Sequence, residues 1–345
     1  TPDLVALEGA RDGWVASLTA DNLIREYHSV TGVLMNTSAV NTVTQAQDLI
    51  ITPDRRILVT SGDASRVVEF DRTGALVRTL VGTGSGGLSN PAGMLLSPSG
   101  TLLVASRGNN AVLEYNLTTG AFIRALVAPG SGGLTAPFGL TRGPTGDLYV
   151  SSGSNQVFQY NISTGAFVRI MVTAAANGGL STPRGLIFKP DGKLLVASFD
   201  TDQVKEYNGT TGAFIRDWLV TGLLVDGPWC LRLHRDGMVY VSRNNPFAAD
   251  THVTRARVFI FDTRNGNFVR AYVQALDSGL DFPTGFDFMP GDFTDCNGNQ
   301  IPDSCDITSG FSTDLNSNGV PDECERTCYV NCDLSVNPPI LNVND

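Results

Sequence analysis

The chain has 345 residues, 42% hydrophobic and only 17% charged, with 37 glycines and a net charge of −10. No window has the length and apolarity of a membrane-spanning helix, and an acidic chain gives no electrostatic reason to expect nucleic acid as a partner. The charge is also local: from Gly291 onward ten acidic residues face one base, Arg326, so that stretch carries −9 and the rest of the chain −1.

Thr1 to Asp12 precede the first strand signal and read as an N-terminal extension; the start at Thr1, with neither Met nor signal peptide, suggests a processed mature form. From Gly13 the chain repeats two phrases. One is a hairpin, alternating apolar and polar residues on either side of a glycine turn. It reads NLIREYHSVTGVLMN at Asn22, SRVVEFDRTGALVRTLV at Ser65 and NAVLEYNLTTGAFIRALV at Asn110. It continues as NQVFQYNISTGAFVRIMV at Asn155, DQVKEYNGTTGAFIRDWLV at Asp202 and ARVFIFDTRNGNFVRAYV at Ala256. The turn glycines, Gly32, Gly74, Gly120, Gly165, Gly212 and Gly266, are 42 to 54 residues apart. A period near 45 residues in an all-strand pattern is that of a propeller blade.

The second phrase precedes the hairpin, as in GLSNPAGMLLSPSGTLLVAS from Gly87 and GLSTPRGLIFKPDGKLLVAS from Gly179. It holds two short apolar strands joined by a turn, so one blade runs A (Met94 to Leu96), B (Leu102 to Ser106), C (Ala111 to Tyr115) and D (Phe122 to Val127). The first repeat, opening on GWVAS at Gly13, lacks an A strand, and the last stretch, Gly285 to Met289, is an A strand with no B after it. The expectation is an all-β, six-bladed propeller over residues 13–290, closed in one blade by A from the C-terminus and B, C and D from the N-terminus.

These phrases resemble the NHL-type six-bladed propellers, with Pro91-Ala92-Gly93-Met94 as the P-x-G-[LMI] start of strand A and Leu102-Leu103-Val104-Ala105-Ser106 as strand B. The resemblance implies architecture and says little of chemistry. The face made by the D–A and B–C loops is expected to present Phe138, Arg184 and Trp229, with Arg107, Phe199, Asp200, Arg243 and Asn244 beside them. Aromatics next to arginines suit glycan or peptide recognition, although packing of the loops around the mouth is the reading that the residues favour slightly. His28, His234 and His252 fall at three separate places, and no G-x-S-x-G or H-E-x-x-H occurs, so no catalytic set is assigned. Sequons at Asn36, Asn116, Asn161 and Asn208 are glycosylation candidates, although Asn is also a natural turn residue.

Residues 291–345 read as a calcium-binding tail. Asp295, Asn297, Asn299, Asp303 and Asp306 stand at positions 1, 3, 5, 9 and 12 of a loop, with the Ile301 carbonyl at position 7. Asp314, Asn316, Asn318, Val320 (carbonyl), Asp322 and Glu325 repeat the set. A looser third loop, with an insertion around Pro338-Pro339, would use Asn331, Asp333, Ser335, Ile340 (carbonyl), Asn342 and Asp345. Alternate side chains of a tight loop converge on a hard cation that takes six to eight oxygens, so two Ca²⁺ sites are expected, with a third from the looser loop. The segment resembles the calcium tails of secreted bacterial proteins, of the dockerin and thrombospondin type-3 kind, carried by D-x-N-x-N-G-x-P-D-E-C and Leu341-Asn-Val-Asn-Asp345.

Cys296, Cys305, Cys324, Cys328 and Cys332 cluster there as disulfide candidates, which points to an oxidising compartment and secretion. Five is an odd number, so one of them is free, pairs between molecules or reaches Cys230, itself read as a buried hydrophobe. The functional expectation is a secreted, non-catalytic, calcium-stabilised propeller. It would act as an extracellular fibre or cell-surface subunit, joining copies of itself or another extracellular protein through propeller–tail contacts. The alternatives are a carbohydrate- or peptide-binding module docked by its tail, with glycan as a partner, and a propeller hydrolase or lyase.

Overall fold

The computed structural model describes residues 13–17, 23–28, 32–38, 43–220, 226–234, 237–244, 256–274, 283–289 and 313. The N-terminal extension, His252, all three calcium loops and the five tail cysteines lie outside the described residues. The chain separates into two compact units, Thr1–Leu233 with Val239–Gly291, and His234–Met238 with Asp292–Asp345; the strands below lie in the first, apart from Met238.

Five antiparallel four-stranded sheets are built from consecutive strands. The first holds β4 (Ala46–Ile51), β5 (Ile57–Ser61), β6 (Arg66–Phe70) and β7 (Leu76–Val81), and the second β8 (Pro91–Leu96), β9 (Thr101–Ser106), β10 (Ala111–Asn116) and β11 (Phe122–Val127). The third holds β12 (Leu140–Arg142), β13 (Leu148–Ser152), β14 (Gln156–Tyr160) and β15 (Phe167–Val172). β16 (Pro183–Phe188), β17 (Leu194–Ser198), β18 (Gln203–Tyr207) and β19 (Phe214–Val220) make the fourth. The fifth is β20 (Pro228–Leu233), β21 (Met238–Arg243), β22 (Ala256–Asp262) and β23 (Phe268–Gln274). A further, composite sheet joins the two ends of the array: β24 (Pro283–Phe288) pairs antiparallel with β1 (Gly13–Ser17), followed by β2 (Ile24–Tyr27) and β3 (Leu34–Thr37). The fold is an all-β propeller. The inner strands begin earlier than the sequence suggests, at Pro91 rather than Met94, because Pro91 already pairs with Ser106 ahead of a bulge before Met94.

Apolar burial is between sheets rather than within one. Ile50, Leu58 and Val67 of the first sheet pack with Met94, Leu102 and Leu113 of the second in one cluster. Ile24 of β2 and Met289, which follows β24, share a cluster with Leu49, Ile57 and Val68 of the first sheet. Each of these sheets therefore shares its core with its neighbour, as expected of a repeat array.

The repeated turn-Gly…Arg phrase is an inter-sheet latch. Gly165 has φ +75, and a Cβ there would fall 1.6 Å from the Leu126 carbonyl oxygen on the outer strand of the preceding sheet. Only glycine allows the turn both the left-handed backbone and that approach. The arginine three positions into the outer strand binds its own sheet and reaches the next. Arg124 Nε donates to Glu114 at 2.6 Å and its Nη2 to the Ser163 carbonyl at 2.7 Å. Arg78 bonds Glu69 and the Thr118 carbonyl, and Arg169 bonds Gln159 and the Thr210 carbonyl, in the same way.

The turn asparagines Asn116, Asn161 and Asn208 are exposed, and each side-chain oxygen accepts the N–H groups two and three residues on. Asn36 differs: its Nδ2 donates to the Thr73 carbonyl of the first sheet at 2.7 Å. The outer strands expose consecutive apolar pairs, including Phe122 and Ile123, Phe167 and Val168, and Phe268 and Val269.

Candidate binding site at the mouth of the ring

The inner strands start at one end of the ring, and a recurrent device fixes where. A residue ahead of each of these inner strands takes a positive φ: Gln45 (53°), Asn90 (46°), Thr182 (48°) and Gly227 (60°) directly before theirs, and Ala136 (39°) four residues before β12. For β-branched Thr182 this is a strained conformation that its surroundings must enforce. The enforcement comes from the preceding sheet. Asn110 Oδ1 accepts the Ala136 N–H at 2.8 Å, Asn155 Oδ1 that of Thr182 at 2.9 Å, and Asp202 Oδ1 that of Gly227 at 2.8 Å. The residues that follow, Phe138, Arg184 and Trp229, are thereby set side by side around the mouth.

Their side chains converge. The Arg184 guanidinium lies 4.3 Å from the Phe138 ring centroid, 4.5 Å from Trp229 and 5.2 Å from Phe199, and Arg107 lies 5.4 Å from Phe138. Trp229 meets Phe138 and Phe199 edge-on, at 5.1 and 5.6 Å. It also spans the mouth, its Nε1–H donating to the Gln47 carbonyl of the first sheet at 3.2 Å. Ring faces attract a cation, but Arg184 has no carboxylate bonded to it. Burial, with the charge of Arg107 second, lowers its pKa to about 10, and Asp200 offsets this in part. Burial lowers Arg107 as well. The Nε atoms of both arginines are buried without a hydrogen-bond partner. Asp200 is turned instead to the hydroxyls of Ser181 and Thr182.

The expectation that Phe138 and Trp229 are presented on the face is corrected by the structure: they are only 4% and 7% exposed, because each packs edge-on against other rings and against Arg184. Arg243 and Asn244 are buried too. Arg243 pairs with Asp226 at 2.8 Å, and Asn244 donates to the Pro283 carbonyl at the start of β24. Of the face candidates, Arg107, Phe138, Arg184, Phe199 and Trp229 form the cluster, with Asp200 at its edge. Gln47 belongs with them and was not among the candidates, because its repeat, AQDLIITPDRR, lacks the Pro-x-Gly that marks the others.

A small cavity of about 20 Å³ beside the aromatics is lined by Gln47, Phe138 and Trp229 together with Asp48, Cys230 and Arg232. Asp48 Oδ1 accepts from Arg232 Nη2 at 3.0 Å, and its Oδ2 from the Met94 N–H at 2.9 Å. Asp287 on β24 accepts the Ile51 N–H at 2.9 Å and lies 4.0 Å from Arg232 Nε. Burial holds both carboxyls above the usual range, against the pull of Arg232. Cys230 is a free, buried thiol pushed up to about 12 by burial. Among the described residues no three His, Cys, Asp or Glu gather as a metal site, and no helix is long and apolar enough to cross a membrane.

No family model and no curated protein matches the chain. Solved structures do. A chain in the crystal structure of a nidogen/laminin complex aligns with TM-score 0.64 at 15% identity, covering 81% of this chain and 98% of that one. A protein of unknown function from Bacteroides caccae aligns with TM-score 0.61 at 15% identity, covering 81% and 99%. A catalytically inactive virginiamycin B lyase from Staphylococcus aureus, with quinupristin, aligns with TM-score 0.52 at 13% identity, covering 82% and 94%. At these identities the similarity is one of fold.

Proposed function

We propose that this protein is a non-catalytic, extracellular binding propeller, a six-bladed ring of NHL type, whose mouth takes a carboxylate-bearing peptide or glycan. The observation that carries the reading is the Arg184 guanidinium, stacked among three rings, its charge disfavoured by burial and by Arg107, its Nε without a partner. A ligand carboxylate supplies the missing acceptors, and the planar guanidinium suits it bidentately. A count of six takes the composite sheet of β24 and β1 to β3 as a blade, supported by its sharing a core with the first sheet. The non-catalytic reading is supported by Cys230, whose raised thiol is a poor nucleophile, and by Asp48, already occupied by Arg232 and backbone N–H groups. Calorimetric titration of the full-length protein with a glucuronate oligosaccharide and with acidic peptides tests it. At least one should bind saturably, its neutral counterpart should not, and Arg184→Gln should weaken binding about tenfold or more, the scale of a lost charged hydrogen bond. Equal affinity in wild type and Arg184→Gln would sink the reading.

A second reading, assembly of copies into a fibre or surface layer, is favoured by the apolar pairs exposed along the outer strands. Those strands are sheet edges, which invite pairing with another chain unless protected. In this reading calcium in the loops of residues 291–345 orders the tail, with affinity on the order of 10⁻⁴–10⁻³ M. Sedimentation at millimolar calcium should then show oligomers that disperse in chelator. An unchanged monomer in both conditions would refute it.

A further inference from the structure

The mouth leaves acceptors as well as donors unmet. Gln47 is 3% exposed, and its Oε1 is buried with no hydrogen-bond partner. Its own carbonyl takes the Trp229 Nε1–H, and Trp229 in turn lies against Arg184, so Gln47 and Arg184 both contact one indole. A buried polar atom without a partner costs stability in the free protein. Orphan donors on two arginines and an orphan acceptor on Gln47 therefore describe a ligand that carries an anion and a hydrogen-bond donor together.

We infer, on the premise that the mouth is an anion site, that it binds the free C-terminus of a peptide. The α-carboxylate would sit on Arg184 and Arg107, and the last backbone N–H would turn to the Gln47 side. A C-terminal residue holds those two groups a single carbon apart. A sugar acid fits less well, because sugar rings stack on open aromatic faces, whereas here Phe138 and Trp229 are buried, with the guanidinium against them.

The experiment is equilibrium dialysis of full-length protein against a pool of randomised pentapeptides with free C-termini, the same pool amidated, an amidated pool with Glu fixed at the central position, and a glucuronate disaccharide. Retention of the free pool should exceed that of both amidated pools at least tenfold. It should fall at least tenfold in Arg184→Gln and severalfold in Gln47→Leu, with melting temperatures confirming that both variants fold. Equal retention of free and amidated pools overturns the inference. Binding of the disaccharide or the central-Glu pool in place of the free pool also overturns it while leaving the mouth an anion site. Retention of nothing, by a folded protein, overturns both.

Discussion

A chain ending at residue 282 should fail to fold into a stable ring, whereas one ending at residue 290 should melt at the temperature of the propeller in the full-length protein. The difference is β24. It is the inner strand of the composite sheet, paired with β1, and its side chains serve both adjoining sheets. Phe286 is 1% exposed, and Phe288 packs edge-on against Tyr240 of β21 at 4.9 Å. On the other side Asp287 accepts the Ile51 N–H, and Gly285 lies so close to β4 that a Cβ would come within 2.2 Å of the Leu49 nitrogen. The β21 residue Ser242 also donates to the Thr284 carbonyl at 2.9 Å. Without β24 the buried Phe286, about 1.5–3 kcal/mol, and the part-buried Phe288 are lost together with those bonds, and β1 becomes an exposed edge. Against a typical total of about 5–15 kcal/mol, that is enough to abolish a cooperative transition. Thermal melts by circular dichroism of the two truncations decide the matter. A cooperative melt of the shorter chain at the full-length temperature would mean that the ring does not depend on its joined ends.

That joint is legible in the sequence because the two ends are incomplete in opposite ways: one starts on a second strand at Gly13 and the other stops on a first strand after Pro-Thr-Gly. The turn glycines are legible as punctuation, but not their reason. Nothing in TTGAFIR states that its glycine meets the previous sheet or that Arg124 reaches Ser163, since both contacts cross the repeat boundary. The mouth was half readable. Phe138, Arg184 and Trp229 occupy one repeat position, but an extended strand keeps them far apart. Only the curvature of the ring brings them together, and it buries the rings that a linear reading leaves exposed.

Of the group below the mouth only Cys230 was read, as the buried hydrophobe it is. Asp48 and Cys230 stand where other repeats place Gly93, Gly139, Gly185 and Gly285, and that departure was the available signal. Its meaning needs Arg232 and Asp287, which are 184 and 239 residues from Asp48.

Replacing that arginine is the second large effect expected. Arg232 stands between Asp48 and Asp287, from β4 and β24, and is the cation bonded to the first at 3.0 Å and close to the second at 4.0 Å. Arg232→Met keeps the apolar stem but leaves the buried Asp48 and the part-buried Asp287 without their shared cation. Breaking a fully buried pair costs about 3–5 kcal/mol, and since Arg232 keeps 22% of its side-chain surface, about 2–3 kcal/mol is expected at neutral pH.

The loss should depend on pH in a definite direction. Burial already holds both carboxyls above their ordinary range while Arg232 pulls them down, so its removal raises them further. An acid whose folded pKa exceeds its unfolded value binds more protons when folded. Its ionised form costs stability above the folded pKa, and that cost fades as pH falls through the folded pKa toward the unfolded one near ~3.9. Urea unfolding of wild type and Arg232→Met should therefore show a gap that is widest at neutral pH and narrows as the pH is lowered toward about 5. Adding Asp48→Asn to the Arg232→Met variant should recover part of the neutral-pH loss. A gap that stays constant with pH would mean that the arginine acts by packing alone, and that the charges joining β4, β20 and β24 contribute nothing to holding the two ends of the propeller together.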